Sequence, residues 1–471
     1  MRQQADEFSD LTARVWGLAG GTSEAAARVT VSGPRTVLRS AFDVTGLAAA
    51  SVAAAALAAA EYHAVRNAGP AAAVRVDTRG ACAAFAAQSL FAPIGWSVPE
   101  LWDPIAGNYQ ASDGWIRLHT NYAHHRVAVT RLLKADDGAA VQAAVSSWQA
   151  ADLENAVVGA GGCAAAMHDR ASWLASAAGA ATADAAPLTA AELPLPAAAG
   201  DAAAGPAGQP YAGVRVLDLT RVIAGPVCTK FLAAYGADVL RLDPPGFAEV
   251  PALLPETTAG KRTAAVDLTA AAGRADFERL VSEADVLVTG LRADALDRLG
   301  YDDAALTALN PALVIASLNA YGWDGPWRGR RGFDSLVQMS CGIAAADSAG
   351  ADSAAAGAGH PVPLPVQALD HGCGYVLAAA VGRALTVRLT RSAVTRIRAS
   401  LVGTANLLWS FPRPSGTAAT PGAGEFALAG TRTAWGPARR VPVPGEIAGI
   451  SPVLRTEAGP LGRHQPAWLP R

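Results

Sequence analysis

The sequence is poor in cysteine. Five cysteines occur in 471 residues, and none of them forms a CxxC pair. Disulfide frameworks and zinc sites both need paired or clustered ligands, so neither is indicated here. We expect reduced, mostly buried thiols, as in a cytoplasmic protein. The cysteines are Cys82, Cys163, Cys228, Cys341 and Cys373.

The sequence also lacks an excess of either charge. It has 38 basic and 40 acidic side chains, which give a formal net charge of -2. Proteins that bind nucleic acid or anionic membranes usually carry a strongly basic surface, so neither partner is expected. A negatively charged ligand would have to be bound by a few local basic residues.

No leader and no long hydrophobic run is visible. The first ten residues, MRQQADEFSD, lack the charged and then apolar pattern of a signal peptide. The most apolar run, residues 46–60, is shorter than a membrane span and consists mainly of alanine. It predicts a tightly packed buried helix, and the expected location is cytoplasmic.

The chain is rich in apolar residues, and its composition changes sharply at one place. Apolar residues make up 51% of the sequence and charged residues 17%, so a large core and at least two domains are expected. Residues 176–209 are rich in Ala, Gly and Pro, which predicts a linker. The predicted domains are therefore residues 1–175 and 210–471.

The second of these domains has an α/β pattern. Short apolar strands alternate with helices, which is typical of a parallel sheet covered on both faces. The fold class is therefore α/β, with a Rossmann-like C-terminal domain and a mostly helical N-terminal domain that contains a hairpin at 109–118. Strands are predicted at 214–219, 238–242, 264–268, 286–289 and 313–318, and helices at 228–235, 271–283, 294–299, 124–133 and 141–147.

The turn after the first predicted strand, residues 221–229, is where parallel sheets meet their ligands. It lacks the GxGxxG pattern, so a nicotinamide cofactor is disfavoured. Pro226 suits the first turn of a helix. From spacing alone, a plain structural turn and a ligand cradle are equally compatible with this segment.

Asp370 begins a second chemistry-bearing segment, at the start of an alanine-rich helix. Its carboxylate could cap that helix. It could also attack a thioester carbonyl and form a mixed anhydride. On the residue alone, the capping interpretation is the stronger of the two.

An imperfect internal repeat brings a second aspartate into the comparison. Residues 34–60 and 361–384 both run from proline through Ala-apolar-Asp into an alanine-rich helix. The alignment places Asp43 on Asp370. Further along, residues 74–79 resemble residues 386–391.

Six sequence segments lie between residue 211 and about residue 391. In their sequence and their order they resemble the class III CoA-transferase family, which includes formyl-CoA and carnitine CoA-transferases. The resemblance implies that Asp370 attacks an acyl-CoA and forms an aspartyl mixed anhydride and then an aspartyl-CoA thioester. The segments are VRVLDLTRVIAGPVCTKFLAAYGADVLRLDPPG (214–246), GKRTAAVDL (260–268), ADVLVTGLRADALDRLGY (284–301), NPALVIASLNAYGWDGPW (310–327), RRGFDSLVQMSCGIA (330–344) and PVQALDHGCGYVLAAA (365–380).

The same resemblance implies a CoA-binding set and no permanently bound cofactor or metal, since the CoA thioester is the substrate. Two positions depart from the family pattern, Ile223 and Gly290. Surface ion pairing is the ordinary alternative for the arginines. The implied CoA-binding residues are Ala224, Gly225, Pro226, Lys261, Arg262, Arg298 and Tyr321.

The expected function is the movement of CoA between an acyl-CoA and a carboxylic acid. Related family members are racemases that use a histidine where this chain has Phe333, which argues against racemisation. His371 follows Asp370 but points elsewhere in regular backbone, so acid–base work by it is not favoured. An acyl-CoA racemase or isomerase and a degenerate, non-catalytic CoA-binding subunit stay as alternatives.

The N-terminal part resembles only the later portion of the family. Residues 103–133 resemble its small domain and residues 169–176 the end of that domain, whereas the Rossmann-like half is missing before Asp43. Asp43 is therefore interpreted as a relic or a structural cap. The two parts would complement each other, either as a pseudo-dimer within one chain or in a homodimer. Three histidines could be interpreted as metal ligands: His119, His124 and His125. We favour a surface patch at a helix N-terminus instead, because no carboxylate or cysteine has a suitable spacing to them.

Overall fold

The structure is a computed structural model that describes residues 2–195, 208–347, 359–414, 426 and 428–470. Two 3-10 turns, Pro251–Leu253 and Asp297–Leu299, accompany the regular elements. The helices are α1 Arg2–Leu18, α2 Ser23–Ala26, α3 Val44–Arg66, α4 Thr78–Phe85, α5 Ala87–Leu90, α6 Ala123–Leu133, α7 Gly138–Val145, α8 Ala150–Gly159, α9 Arg170–Ala175, α10 Ala177–Ala181, α11 Ala224–Ala234, α12 Leu254–Thr257, α13 Ala271–Glu283, α14 Asp303–Leu309, α15 Asp334–Ser340, α16 Ile343–Asp347, α17 Ala368–Arg391 and α18 Leu401–Trp409. The strands are β1 Val29–Ser32, β2 Val74–Asp77, β3 Ala92–Pro93, β4 Gly107–Gln110, β5 Trp115–Leu118, β6 Ala164–Ala166, β7 Leu188–Pro194, β8 Arg215–Leu219, β9 Asp238–Asp243, β10 Arg262–Ala265, β11 Val286–Thr289, β12 Val314–Asn319, β13 Ala393–Ser400, β14 Ala429–Thr433, β15 Gly436–Arg440 and β16 Glu446–Ile447.

Seven strands form the main sheet, in the order β10-β9-β8-β11-β12-β13-β7. Every neighbouring pair is parallel except β13 and β7. In chain order the six parallel strands read 3-2-1-4-5-6, the Rossmann arrangement, and the order reverses between β8 and β11. The inner strands are almost wholly buried because helices cover both faces. The predicted α/β fold with a Rossmann-like sheet is confirmed.

Two local predictions differ from the structure. The helix predicted at 294–299 is only the 3-10 turn Asp297–Leu299, which ends at Gly300 with a positive φ. Residues 386–391, predicted to match the strand region 74–79, lie instead in the last turns of α17. The strand that corresponds to β2 is β13, which begins two residues after α17 ends.

Part of the predicted linker, residues 176–209, is regular structure. It contributes α10 and also β7, which pairs antiparallel with β13 along the sheet edge. Only Leu188 of β7 is buried. The exposed edge of β13 supplies backbone hydrogen-bond partners, so a strand with few core-forming side chains can be held there. The stretch 196–207 lies outside the described residues.

Helices α3 and α17 pack side by side through the centre of the molecule. Leu47 lies against Gly372, Ala58 against Gly382, and Glu61 pairs with Arg383 at 2.7 Å. Because these contacts advance in the same direction along both helices, the two run parallel. A methyl group added at Gly382 would lie 2.9 Å from Ala58 Cβ, so small residues permit this close approach.

Helix α3 is the one helix in the described ranges that is long and apolar enough to cross a membrane. Its 23 residues contain a window of mean hydropathy 1.6, and 94% of that window is buried inside the protein. Buried core helices pass the same test of length and composition. The burial agrees with the packed helix predicted from its alanine content.

The N-terminal part contains one βαβ unit, made of β1, α3 and β2, with β1 and β2 parallel. It has the same connectivity as β12, α17 and β13. The sequence predicts that the Rossmann-like half is missing before Asp43. Among the described residues there, β1 is the single strand, and it belongs to a three-stranded sheet with β2 and β16. The predicted hairpin is present as β4 and β5, and it packs with β6 and α6–α8 around a separate core.

Candidate active site

A cavity of about 360 Å³ opens at the carboxyl ends of the parallel strands, where the strand order reverses. Ligands of open α/β sheets bind at this position. One wall consists of residues that directly follow β8, β11 and β12, among them Arg221, Gly290 and Ala320. The opposite wall comes from the N-terminal part through Tyr122 and His125. Both parts of the chain therefore build the cavity.

Asp370 lines this cavity from the first turn of α17. It is the third residue of the helix, and it is only 7% exposed. Within the described residues no group donates a hydrogen bond to its carboxylate. Burial, and then the nearby carboxylate of Asp334, raise the pKa of Asp370 well above its ordinary value. A buried carboxylate facing a cavity without a partner is suited to chemistry.

Asp334 performs the capping that the sequence had suggested for Asp370. Its Oδ2 accepts hydrogen bonds from the backbone N–H groups of Leu369 at 2.8 Å and Asp370 at 3.0 Å. Its Oδ1 accepts from the side chain of Gln338. Burial raises the pKa of Asp334 to about 6, although these hydrogen bonds oppose the rise. Sequence reasoning missed this role because the donors lie more than thirty residues further along the chain.

Asp43 has the opposite environment. It is the N-cap of α3, and its Oδ1 accepts from the backbone N–H of Gly46 at 2.8 Å. Arg35 holds both carboxylate oxygens, at 2.7 and 2.6 Å. Asp43 is 2% exposed. Both carboxylate oxygens accept hydrogen bonds from the protein, so Asp43 is a structural cap in this fold.

The structure separates most of the predicted CoA-binding set from Asp370. Lys261 is buried, with its ammonium 3.0 Å from Asp218 Oδ2 and 3.1 Å from the carbonyl oxygen of Pro226. Burial lowers the pKa of Lys261 to about 8, and Asp218 opposes this effect. The Lys261–Asp218 ion pair supports the turn after β8, and Lys261 does not line the large cavity.

The other predicted residues also have structural partners. Arg262 pairs with Asp238 at 2.9 Å, and the exposed Arg298 pairs with Asp294, four residues earlier in the chain. The buried hydroxyl of Tyr321 lies 3.2 Å from Ser340 Oγ, and burial raises the pKa of this tyrosine.

The predicted turn residues lie nearer to the site. Ala224 lines the cavity next to Asp370. A side chain at Gly225 would lie 2.3 Å from Thr220 Cβ, so only glycine fits there. Of the predicted CoA-binding residues, Ala224 alone reaches the main cavity.

Four arginines of the described chain line the cavity, and two of them pair with a carboxylate. Arg330 is paired with Glu154 at 2.6 Å, and Arg221 pairs with Asp243 at 3.6 Å while its guanidinium lies over the ring of Phe247 at 3.7 Å. By contrast, Arg292 and Arg331 form no ion pair in the described part of the chain. Partial burial, and then the charge of Arg331, lower the pKa of Arg292. Asp294 opposes this shift but forms no ion pair with Arg292. Two arginines that line one cavity without an ion pair favour an anionic ligand.

The sequence contained a usable signal for this pair. Arg292 follows β11 by three residues, at the strand-order reversal, and Arg331 directly precedes the Gly332–Asp334 block. Family resemblance drew attention to other basic residues instead.

The three histidines do not form a surface patch, in contrast to the expectation. His119 and His125 are buried in the wall between the two parts, and only His124 is exposed. Burial is the main reason that the pKa values of His119 and His125 fall to about 3. The ring of His119 stacks on Phe333 with centroids 3.6 Å apart. No group of three metal-ligating side chains occurs among residues that the structure describes.

His371 lies on the far side of α17 from the large cavity. Its Nε2 is 3.0 Å from Gln88 Oε1, and its ring stacks on Phe85. Burial lowers the pKa of His371 to about 3. The direction expected from regular backbone geometry is confirmed.

Residues 211–425 match the model of CoA-transferase family III. The probable fatty acyl-CoA transferase Rv3272 of Mycobacterium tuberculosis is 33% identical over 193 residues, which cover 38% of this chain and 47% of that protein. The CoA-transferase/lyase DddD of a Marinomonas species is 32% identical over 207 residues, covering 41% and 23%. The formyl-CoA:oxalate CoA-transferase of Rhodopseudomonas palustris is 30% identical over 201 residues, covering 40% and 45%.

The resemblance to CoA-transferase family III is thereby confirmed for the C-terminal part of the chain. The chain spans half or less of the length of these curated relatives. The matched region contains β8 through α18, and with them Asp370, Asp334 and the arginines of the large cavity.

Proposed function

We propose that the protein transfers CoA from an acyl-CoA to a carboxylic acid, with Asp370 as the nucleophile. The observation that carries this proposal is the environment of Asp370. Its carboxylate faces a cavity at the strand-order reversal of a family III region, and none of the described residues donates a hydrogen bond to it. Asp334 fixes the backbone of Asp370 while leaving the side chain of Asp370 free.

The reaction would proceed through two covalent states of Asp370. The carboxylate attacks the thioester carbonyl, the C–S bond breaks, and a mixed anhydride forms with release of the CoA thiolate. The thiolate then attacks the aspartyl carbonyl, which releases the first carboxylic acid and leaves an aspartyl-CoA thioester. The acceptor carboxylate reverses these two steps and leaves as the new acyl-CoA. No net proton transfer is needed, so the buried imidazoles are not required.

Arg292 and Arg331 are the proposed anchors for the CoA phosphates. They stand at the large cavity and form no ion pair in the described chain, and guanidinium groups bind phosphate well. With the chain nearly neutral overall, these local charges would provide the attraction. This assignment replaces the predicted contacts of Lys261, Arg262 and Arg298.

The N-terminal part is proposed to complete the site within one chain. Tyr122 and His125 form one wall of the large cavity, and the hydroxyl of Tyr122 donates to Glu249 at 2.6 Å across the two parts. A pseudo-dimer of this kind needs no second copy for its site. Light scattering combined with activity measured across protein concentrations tests this. Activity lost on dilution to a monomer would contradict it.

Trapping of the acyl-enzyme tests the nucleophile. The protein is incubated with an acyl-CoA and then hydroxylamine, which converts an aspartyl anhydride or thioester into a hydroxamate. Peptide mass spectrometry is expected to find the hydroxamate on Asp370. The Asp43→Asn variant should be modified like the natural protein, and the Asp370→Asn variant should not be modified. Modification of Asp43, or of no residue, would contradict the assignment.

One observation favours a second candidate, exchange of the α-proton of an acyl-CoA. Phe333 stands where related racemases have a histidine, but the imidazole of His119 is stacked against that ring. Incubation of an acyl-CoA in deuterium oxide without an acceptor acid separates the candidates. Deuterium gained at the α-carbon, and lost in a His119→Phe variant, would favour exchange over transfer.

A further inference from the structure

A second, smaller cavity lies on the other side of Asp370. It has a volume of about 30 Å³ and shares Tyr122, Val222, Phe333 and Asp370 with the large cavity. Since about 10–15 Å³ suffices for one water molecule, there is room for about two water-sized groups. Asp370 therefore lines two cavities, a large one whose lining includes arginines and a small one whose described lining does not.

The lining of the small cavity is mainly apolar and comes from both parts of the chain. Aliphatic and aromatic side chains form most of it. Among the described residues that line it there is no lysine or arginine. Arg117 is outside the lining, with its guanidinium 4.9 Å from the ring centroid of Trp102, and its charge acts on Asp334. The apolar members are Leu101, Trp102, Val222, Ile223, Val250, Leu253 and Phe333.

Several of its polar side chains are already committed to protein partners. The amide of Asn121 accepts from the backbone N–H of Asp103 and donates to the carbonyl oxygen of Leu101. Tyr122 donates to Glu249, and both oxygens of Asp334 accept hydrogen bonds. His119 is neutral at physiological pH because burial lowers its pKa to about 3. None of these groups offers a positive charge to an occupant.

We propose that the small cavity holds the acyl group of the donor, and that this group is short and uncharged. This inference rests on the proposed function of Asp370. A dicarboxylic acyl group would place its second carboxylate in a mainly apolar space beside two acids, where the described lining contains no cation and the charge of Arg117 already acts on Asp334, which is strongly unfavourable. A long fatty chain would exceed the volume. An acyl group of the size of propionyl fits, with its CoA portion directed toward the arginines.

Acylation of Asp370 by a panel of CoA thioesters tests the inference. Propionyl-, hexanoyl- and succinyl-CoA are compared by the initial rate of hydroxamate formation in the presence of hydroxylamine. Propionyl-CoA is expected to react at least about 100-fold faster than succinyl-CoA, because a single mismatched group in a pocket changes selectivity by roughly this factor. Hexanoyl-CoA is expected to react about 10-fold or more slowly than propionyl-CoA.

A matched pair of variants locates the selectivity. Leu253→Ala enlarges the small cavity, whereas Leu280→Ala makes the same change in the equally buried core beneath the other face of the sheet. Leu253→Ala should raise the rate with hexanoyl-CoA relative to propionyl-CoA about 10-fold, and Leu280→Ala should leave this ratio unchanged. Thermal unfolding of both variants verifies that each is folded.

The outcomes are distinct. Succinyl-CoA reacting as fast as propionyl-CoA would overturn the acyl-pocket inference while leaving the transferase proposal intact. An equal shift in both leucine variants would overturn the location of the pocket. Absence of an adduct on Asp370 with every thioester would overturn this inference together with the proposed function.

Discussion

Each of the two parallel, contacting helices α3 and α17 has an aspartate at its start, at the N-cap of α3 and in the first turn of α17, with opposite consequences. Asp43 caps its own helix and is held by Arg35 through both carboxylate oxygens. Asp370 lies three residues inside the helix cap, and its helix is capped by Asp334 instead. The carboxylate of Asp43 is bound by groups of the protein, whereas the carboxylate of Asp370 has no structural role in capping its helix.

The comparison shows how a carboxylate is kept available in a protein interior. A buried acid that is paired and hydrogen-bonded stabilises the fold, while one left unpaired costs stability and gains reactivity. Sequence similarity around the two aspartates does not distinguish these cases. Their partners do, because Arg35 and Asp334 come from different segments of the chain.

Replacement of Asp370 should have the largest effect on catalysis, and replacement of Asp43 a much smaller one. Asp370→Asn removes the nucleophile, so CoA transfer should fall by about 10⁴-fold or more, as for other covalent catalysts. Asp43→Asn should keep activity within about 10-fold, because Asp43 lies outside both cavities. Steady-state transfer between an acyl-CoA and a carboxylic acid measures both. Equal losses in the two variants would remove the functional difference between the helices.

The same two variants should shift stability in opposite directions. Asp43→Asn breaks a buried ion pair and should lower the free energy of unfolding by about 2–3 kcal/mol. Asp370→Asn removes an unpaired buried acid and should raise it by about 1–2 kcal/mol at neutral pH. Urea denaturation measures both values.

The pH dependence of the Asp370 effect gives an internal control. A carboxyl group whose folded pKa is raised binds its proton more tightly in the folded state, so its cost to stability appears above the unfolded pKa of about 3.9 and grows as pH rises. The gain from Asp370→Asn should therefore vanish below about pH 4. A gain that persists in acid would point to packing as the cause.

The rate of transfer should rise with pH as Asp370 ionises. Burial and the charge of Asp334 raise the pKa of Asp370, so the acidic limb of the rate profile should lie above the ordinary range for aspartate. Asp334→Asn removes the neighbouring charge and should move this limb down by about one pH unit. A purely structural role for Asp334 would lower the rate equally at every pH and leave the limb in place.

The smallest effect concerns the contact between the two helices. Gly382→Ala adds a methyl group 2.5 Å from the hydroxyl of Tyr211 and 2.9 Å from Ala58, and it should destabilise the protein by about 1–2 kcal/mol. Gly80→Ala, in a helix with nothing within 4 Å, should stabilise by about 0.5–1 kcal/mol. Urea denaturation of both measures how closely α3 and α17 must approach. A harmless Gly382→Ala would mean the packing can relax.

Local sequence patterns predicted the parallel strands well, because fully buried strands are read from short apolar runs between turns. They missed β13, since the preceding residues continue α17 to Arg391 without a breaker. They also missed β7, which depends on hydrogen bonds to a distant sheet edge. Periodicity carries no information about such partners.

Of the site residues predicted from the sequence, Asp370 and Ala224 line the large cavity. Family resemblance pointed to Asp370, but it selected Lys261, Arg262 and Arg298, which are occupied by Asp218, Asp238 and Asp294. The sequence carried a positional signal for Arg292 and Arg331, but only the fold shows that neither forms an ion pair in the described chain. Ion pairing between separate strands and loops cannot be deduced from spacing.

The most direct measurement follows oxygen from the acceptor into the enzyme. In the proposed steps the acceptor carboxylate supplies the bridging oxygen of the second anhydride, and this oxygen remains on the aspartate when CoA departs with the acyl group. Turnover with an acceptor acid labelled with oxygen-18, followed by peptide mass spectrometry, should therefore find the label in Asp370 and none in Asp43. Label in Asp43, or transfer without label in either aspartate, would contradict the account.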